Sequence, residues 1–216
     1  MTGRAVADNR ARNRASALLF MVMLTTGAGH TALQSVLPAI GRTLNVPDIL
    51  TAAVFSVSAV IWIFAAPFWA GRSDRQGRRN LVLVGSSGFT ISVLLVGISL
   101  FAGLQGWIAP VLAITLAIIA RMIFGIFGSA APPAAQAMVV LNTPLDQRVK
   151  ALSLLSSAFG LGTILGLALA PWMVLPIVDL AGPAFVFALV GAMLVYVIWR
   201  YLRDDIAGDP NEARGA

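Results

Sequence analysis

The placement of charge constrains this chain more than any other feature. No Asp, Glu, Lys or Arg occurs from Ile49 through Gly71, and none from Asn80 through Ala120. Between these two runs lies a knot of charge: Arg72, Asp74, Arg75, Arg78 and Arg79. A hydrocarbon core about 30 Å thick is crossed by about 20 helical residues, so each uncharged run is long enough for one crossing or two. A soluble domain carries about 25% charged residues. This chain carries 11%, with 58% hydrophobic residues, so most of its surface faces something other than water.

The intervals between charges predict an all-α membrane protein of six transmembrane helices, near residues 16–37, 50–69, 81–102, 108–139, 151–174 and 184–201. Helices are expected because lipid offers backbone groups no partner, and ten-residue strand-like alternation is absent. This divides the chain into an N-terminal segment (1–15), a six-helix bundle (16–203) and a polar tail (204–216) expected to be disordered. The apolar run after Ala17 is too long for a cleaved signal sequence and reads as a first helix that is retained.

Six crossings put both termini on one side. Thirteen of the fifteen Lys and Arg residues fall there, with only Arg42 opposite and Arg121 inside a helix. The positive-inside rule therefore predicts cytoplasmic termini in a cell membrane of the inner, cytoplasmic type. The net charge of +6 is accounted for by topology, and nucleic acid is not an expected partner. Cysteine is absent, as are phosphate loops, paired carboxylates and metal-ligand clusters, so no cofactor is expected.

Asp74, Arg75, Gly77, Arg78 and Arg79 closely resemble the loop between helices 2 and 3 of major facilitator superfamily transporters, with Ala70 where that signature begins on glycine. The resemblance implies that Asp74 closes contacts with the opposite half of a transporter while the cations pin the loop. An anion can dock on a helix N-terminus, and glycine permits a tight reversal. A topological anchor alone would need only the arginines.

Arg121-Met122-Ile123-Phe124-Gly125 is similar to the family's arginine-x-x-glutamine-glycine pattern, with Phe124 in the glutamine place. The stretch Ser129 to Ala137, which includes Gln136, resembles the small-residue run of drug–proton antiporters. An intramembrane arginine costs at least about 2.5–3.5 kcal/mol to insert. Arg121 must therefore reach water or acceptors within the bundle, and no carboxylate lies within the predicted helices. In the family this arginine is associated with proton coupling; snorkelling to an interface is the competing reading.

Gly160, Gly162 and Gly166 partly resemble the antiporter signature of helix 5, and glycines four apart equally allow plain helix packing. The lone histidine, His30, shares a helical face with Gln34, one turn on. Thr26, where many drug–proton antiporters carry an acid nearby, lies one turn earlier. His30 is a candidate proton carrier or substrate contact, or a polar residue satisfied within the bundle. Gly85-Ser86-Ser87-Gly88 spells the G-x-S-G of rhomboid proteases, but the sixth helix has no histidine to serve as base. No enzymatic activity is expected.

The resemblance implies one six-helix half of a major facilitator, itself a 3+3 inverted repeat, working by proton-linked transport of a small molecule, with export favoured. Leu44-Asn45-Val46-Pro47 before helix 2 echoes Leu141-Asn142-Thr143-Pro144 before helix 5; chance spacing explains that echo equally well. One bundle cannot rock against itself. The chain is thus expected to be a truncated or split product, to pair with a second six-helix chain or a copy of itself, or to be a non-transporting membrane subunit.

Overall fold

A computed structural model describes the backbone of residues 2–202, and side chains within it apart from those of residues 2–12 and 73–76. The expected polar tail and the side chains of Asp74 and Arg75 lie outside the described residues. The helices are α1 (Thr2–Thr43), α2 (Asp48–Gln76), α3 (Arg78–Leu104), α4 (Pro110–Phe127), α5 (Ala131–Leu141), α6 (Arg148–Leu169) and α7 (Gly182–Tyr201). A short 3₁₀ turn, Gly128–Ala130, joins α4 to α5, so the two form one crossing. Six segments are long and apolar enough to span a bilayer: Asn13–Thr43, Asp48–Arg72, Arg78–Leu104, Pro110–Leu141, Leu145–Met173 and Gly182–Tyr201. The chain is a multi-pass membrane protein whose six expected crossings are all present.

Several helices run past their expected ends for local reasons. The first continues to Thr43 and stops only where Asn45 turns left-handed (φ 54°) ahead of Pro47. The fourth starts on Pro110, whose missing N–H costs nothing at the first helical position. Its 3₁₀ break precedes Pro132 and Pro133, whose missing N–H groups remove two helical hydrogen bonds; the Gly128 carbonyl accepts from the Ala131 N–H instead. At this break the Ile126 carbonyl accepts from Ser129 Oγ (2.9 Å) and Trp69 Nε1 (2.6 Å). Gly77 (φ 80°) reverses the chain between α2 and α3, in a conformation a β-carbon would strain.

The helix pairing reveals internal symmetry. Span 1 packs most extensively along span 5, span 2 along span 4, and span 3 against spans 4 and 6. Exchanging spans 1, 2 and 3 with 4, 5 and 6 maps the 1–5 pair onto 2–4 and leaves 3–6 unchanged. A 3+3 inverted repeat has this pattern. The two equivalent pairs also use the same device. A β-carbon on Gly125 would come 2.8 Å from the Ser58 carbonyl of α2, and one on Gly162 or Gly166 would run into the Leu24 or Ala28 carbonyl of α1. Glycine lets backbones meet where lipid supplies no hydrophobic drive for association. Thr31 Oγ1 then reaches across to donate to the Thr163 carbonyl at 2.9 Å. Gly160 differs: nothing lies within 4 Å of its would-be β-carbon.

Spans 2 and 5 are the least buried of the six. Ile63 and Phe64 on α2, and Ile164 and Leu167 on α6, are exposed.

Candidate functional site

The site grows from a buried cation. Arg121, on α4 and 0% exposed, is the largest of the completely buried side chains. Its Nη2 lies 3.0 Å from Nδ1 of His30 on α1. A guanidinium can only donate, so this contact requires an unprotonated Nδ1 and places the imidazole proton on Nε2. The guanidinium also sits 4.4 Å from the ring centre of Phe124 and 5.0 Å from that of Phe55 on α2. Those rings offer their negative faces to the charge. Nε and Nη1 have no hydrogen-bond partner among the described residues, and no carboxylate pairs with the guanidinium there.

His30 packs in turn against the same rings, edge-to-face with Phe55 at 5.2 Å and tilted against Phe124 at 6.2 Å. Trp62 and Phe89 pack on the far sides of Phe124, at 5.2 and 5.9 Å. The cation is thus enclosed by rings and one imidazole rather than by counter-charge.

His30 and Phe124 also form part of the wall of a cavity of about 350 Å³, together with Thr26, Ser58, Ala59, Trp62, Ile63, Pro132 and Phe159. Small-molecule sites run from about 300 to 1,000 Å³, so the cavity suits a small ligand. Residues of α1, α2, α4, α5 and α6 meet around it. Its polar groups are few. Thr26 donates to the Val22 carbonyl of its own helix at 2.8 Å, which leaves His30 and Ser58 as the groups nearest a guest.

Of the residues singled out from the sequence, Thr26 and His30 line the cavity, and Arg121 stands behind its wall. Gln34 and Gln136 are exposed on their helices and lie outside the lining. Gly125, Gly162 and Gly166 sit at helix contacts, Gly160 faces open space, and Gly77, Arg78 and Arg79 begin at the α2–α3 reversal. Arg79 Nη2 donates to the Trp199 carbonyl at 2.6 Å, tying the start of α3 to the end of α7.

The aromatic cage went unnoticed in the sequence. Phe55, Ser58 and Trp62 fall three and four residues apart, a single stripe on α2, and Phe124 lies one turn after Arg121. That spacing was the available signal, diluted by the abundance of apolar residues around it.

A family model of the Major Facilitator Superfamily matches residues 19–216. The chain is similar to proteins named Multidrug resistance protein MdtG. It is 29% identical over 174 residues to that of Proteus mirabilis, covering 78% of this chain and 39% of the relative. It is 30% identical over 146 residues to that of Serratia proteamaculans, covering 65% and 32% respectively. The chain therefore matches well under half the length of these relatives.

Proposed function

This chain belongs to the Major Facilitator Superfamily, and on that premise we propose that it is one half of a proton-linked exporter of small, largely apolar molecules in the cytoplasmic membrane, with both termini in the cytoplasm. The observation that carries the reading is the contact of a fully buried arginine with the lone histidine of the chain, at the wall of a ligand-sized cavity among four of the crossings.

The contact has the properties of a proton-operated latch. A neutral imidazole accepts from Arg121 through Nδ1. A proton arriving on Nδ1 turns the acceptor into a donor and sets two cations about 3 Å apart, a repulsion on the order of 5 kcal/mol at an effective dielectric of about 20. Moving a two-state equilibrium from about 1:99 to 99:1 takes about 5.5 kcal/mol. One proton at this place therefore supplies most of the bias that a change of arrangement in the assembled transporter needs. His30 is assigned the proton, Arg121 the sensing charge, and Thr26, Ser58, Trp62 and Phe159 the substrate contacts. Gln34 and Gln136, each one turn along from a lining residue, are assigned to the path into and out of the cavity. No bond of the substrate is made or broken.

The cavity wall carries no carboxylate, and the nearest fixed charge is positive. Uncharged or weakly acidic aromatic molecules suit it better than organic cations. The exposed faces of spans 2 and 5, and the match to well under half of each relative's length, favour completion by a second six-helix half. That half is a separate chain, a C-terminal continuation or a second copy. Asp74 and Arg75, at the end of α2, would then meet it beside the α2–α3 reversal, as the family resemblance implies.

The test uses proteoliposomes of the assembled transporter loaded with a pH-sensitive dye. Arg121→Ala and His30→Ala should each abolish substrate-driven proton movement while the protein remains in the membrane. Undiminished proton movement in both variants would refute the latch. If the wild-type assembly itself moves neither substrate nor protons, the bundle is a non-transporting subunit.

A further inference from the structure

A second cavity, of about 340 Å³, shares no lining residue with the first and lies where the start of α1 meets the end of α7. Its α1 wall is Arg14, Ala17, Leu18 and Met21, spaced three and four apart as one helical stripe; Val197 and Tyr201 face it from α7. These antiparallel ends lie at the side of the bundle that bears both chain termini.

Chemistry changes sharply along this groove. Its inner part is aliphatic, and Met21 is 46% exposed there. Its outer end holds Arg14, exposed and without a hydrogen bond or ion pair among the described residues, beside Tyr201. Arg200, also exposed, stacks its guanidinium 5.4 Å from the Tyr201 ring centre. Tyr196, Trp199 and Tyr201 are each about three-fifths exposed on this last stretch of α7. Tyrosine and tryptophan collect at headgroup level in membrane proteins. The aromatic residues therefore mark the depth at which hydrocarbon gives way to headgroups, and both arginines stand at that depth.

An occupant must be apolar below this level and negatively charged at it. We propose that the groove between the start of α1 and the end of α7 is a binding site for one anionic phospholipid, with an acyl chain along Ala17, Leu18, Met21 and Val197 and the phosphate held by Arg14 and Arg200. Basic pockets between crossing helices bind such headgroups by this combination. A zwitterionic lipid gains less, because its own cation would share the mouth with two guanidinium groups. Asp204 and Asp205 follow shortly in the sequence, outside the described residues, so their neutral variants belong in the test.

The site is independent of transport and can be tested on this chain alone. The purified protein in neutral detergent is mixed with dioleoyl phosphatidylglycerol or dioleoyl phosphatidylcholine at equal concentration, and retained lipid is counted by native mass spectrometry. The glycerol lipid should be retained as one tight adduct and the choline lipid should not. Each arginine near an anionic headgroup strengthens binding about fivefold, so Arg14→Gln with Arg200→Gln should lower retention about 25-fold. Lys150→Gln, an exposed basic residue elsewhere on the terminal side, should leave it unchanged. Ala17→Phe, which fills the groove and keeps both charges, should also displace the adduct. Asp204→Asn with Asp205→Asn should preserve or raise retention. Equal retention of the two lipids, equal loss in Lys150→Gln, or full retention in Ala17→Phe would each overturn the proposal. Circular dichroism of every variant separates loss of the lipid from loss of the fold.

Discussion

Replacing Arg121 with methionine is expected to leave the bundle at least as stable as before while destroying coupling. The magnitudes come from what the guanidinium touches. It makes one hydrogen bond, to His30, and lies over two rings. A hydrogen bond to a charged group is worth about 1.5–3 kcal/mol, and each ring contact about 0.5–2 kcal/mol. Against these stand an insertion cost of at least about 2.5–3.5 kcal/mol for an intramembrane arginine and two buried donors without partners, Nε and Nη1. Such unsatisfied donors cost about 1–3 kcal/mol each. The two sides cancel to within about 2 kcal/mol, and methionine fills a similar length without strain.

His30→Ala acts in the opposite way, since it removes the acceptor and leaves the charge. It should cost about 2–4 kcal/mol, from the lost bond and the emptied ring volume. The double variant should recover about 1.5–3 kcal/mol relative to the sum of the single changes, because the bond is lost only once. The assay is unfolding of the chain in mixed micelles of rising dodecyl sulfate content, followed by circular dichroism. If Arg121→Met proves less stable than His30→Ala, the guanidinium is structural cement and the latch argument falls with it.

Gly166→Ala should destabilise the bundle by about 1–3 kcal/mol through overpacking against the Ala28 carbonyl, whereas Gly160→Ala should be neutral or stabilising by up to about 1 kcal/mol. The same unfolding assay checks the pair, and equal effects would contradict the helix contacts described. In the assembled transporter, Ser58→Asp places a carboxylate on the cavity wall. Export should then shift toward a quaternary ammonium dye and away from an uncharged aromatic of equal size, and an unaltered preference would remove the cavity from the substrate path. Because the chain has no cysteine, topology can be read by single substitutions. An impermeant maleimide should label Gln105→Cys in intact cells, and Gln147→Cys only after permeabilisation. The reverse pattern would invert the orientation.

The spans were legible because lipid imposes one simple rule on charge, and a list of charged positions is a projection of that rule onto sequence. Helix ends were less legible. The continuation of α1 to Thr43 depends on where Asn45 and Pro47 finally stop the chain, whereas hydropathy fades earlier. The break before Pro132 could be expected from missing amides, but the bond that Trp69 adds at the Ile126 carbonyl requires knowing which helix lies alongside. Arg121 and His30 stood out singly, as a charge and a titratable group in apolar surroundings. Their contact did not, since nothing in a linear sequence states which faces of two distant helices meet. The three glycines of the fifth span make the same point. They look alike in sequence, yet Gly162 and Gly166 abut carbonyls of α1 and Gly160 touches nothing.

The symmetry of the bundle bears on why the latch sits where it does. Spans 1 and 4 are exchanged by the inverted repeat, so a contact between them straddles its pseudo-twofold axis. These two spans share no extensive backbone packing among the described residues; span 1 is committed to span 5, and span 4 to spans 2 and 3. The His30–Arg121 hydrogen bond is therefore a side-chain bridge across a gap lined by rings. Under the proposed function, a proton on His30 would release this bridge between the two spans. Histidine as the partner would then keep the unprotonated latch closed and let one proton open it.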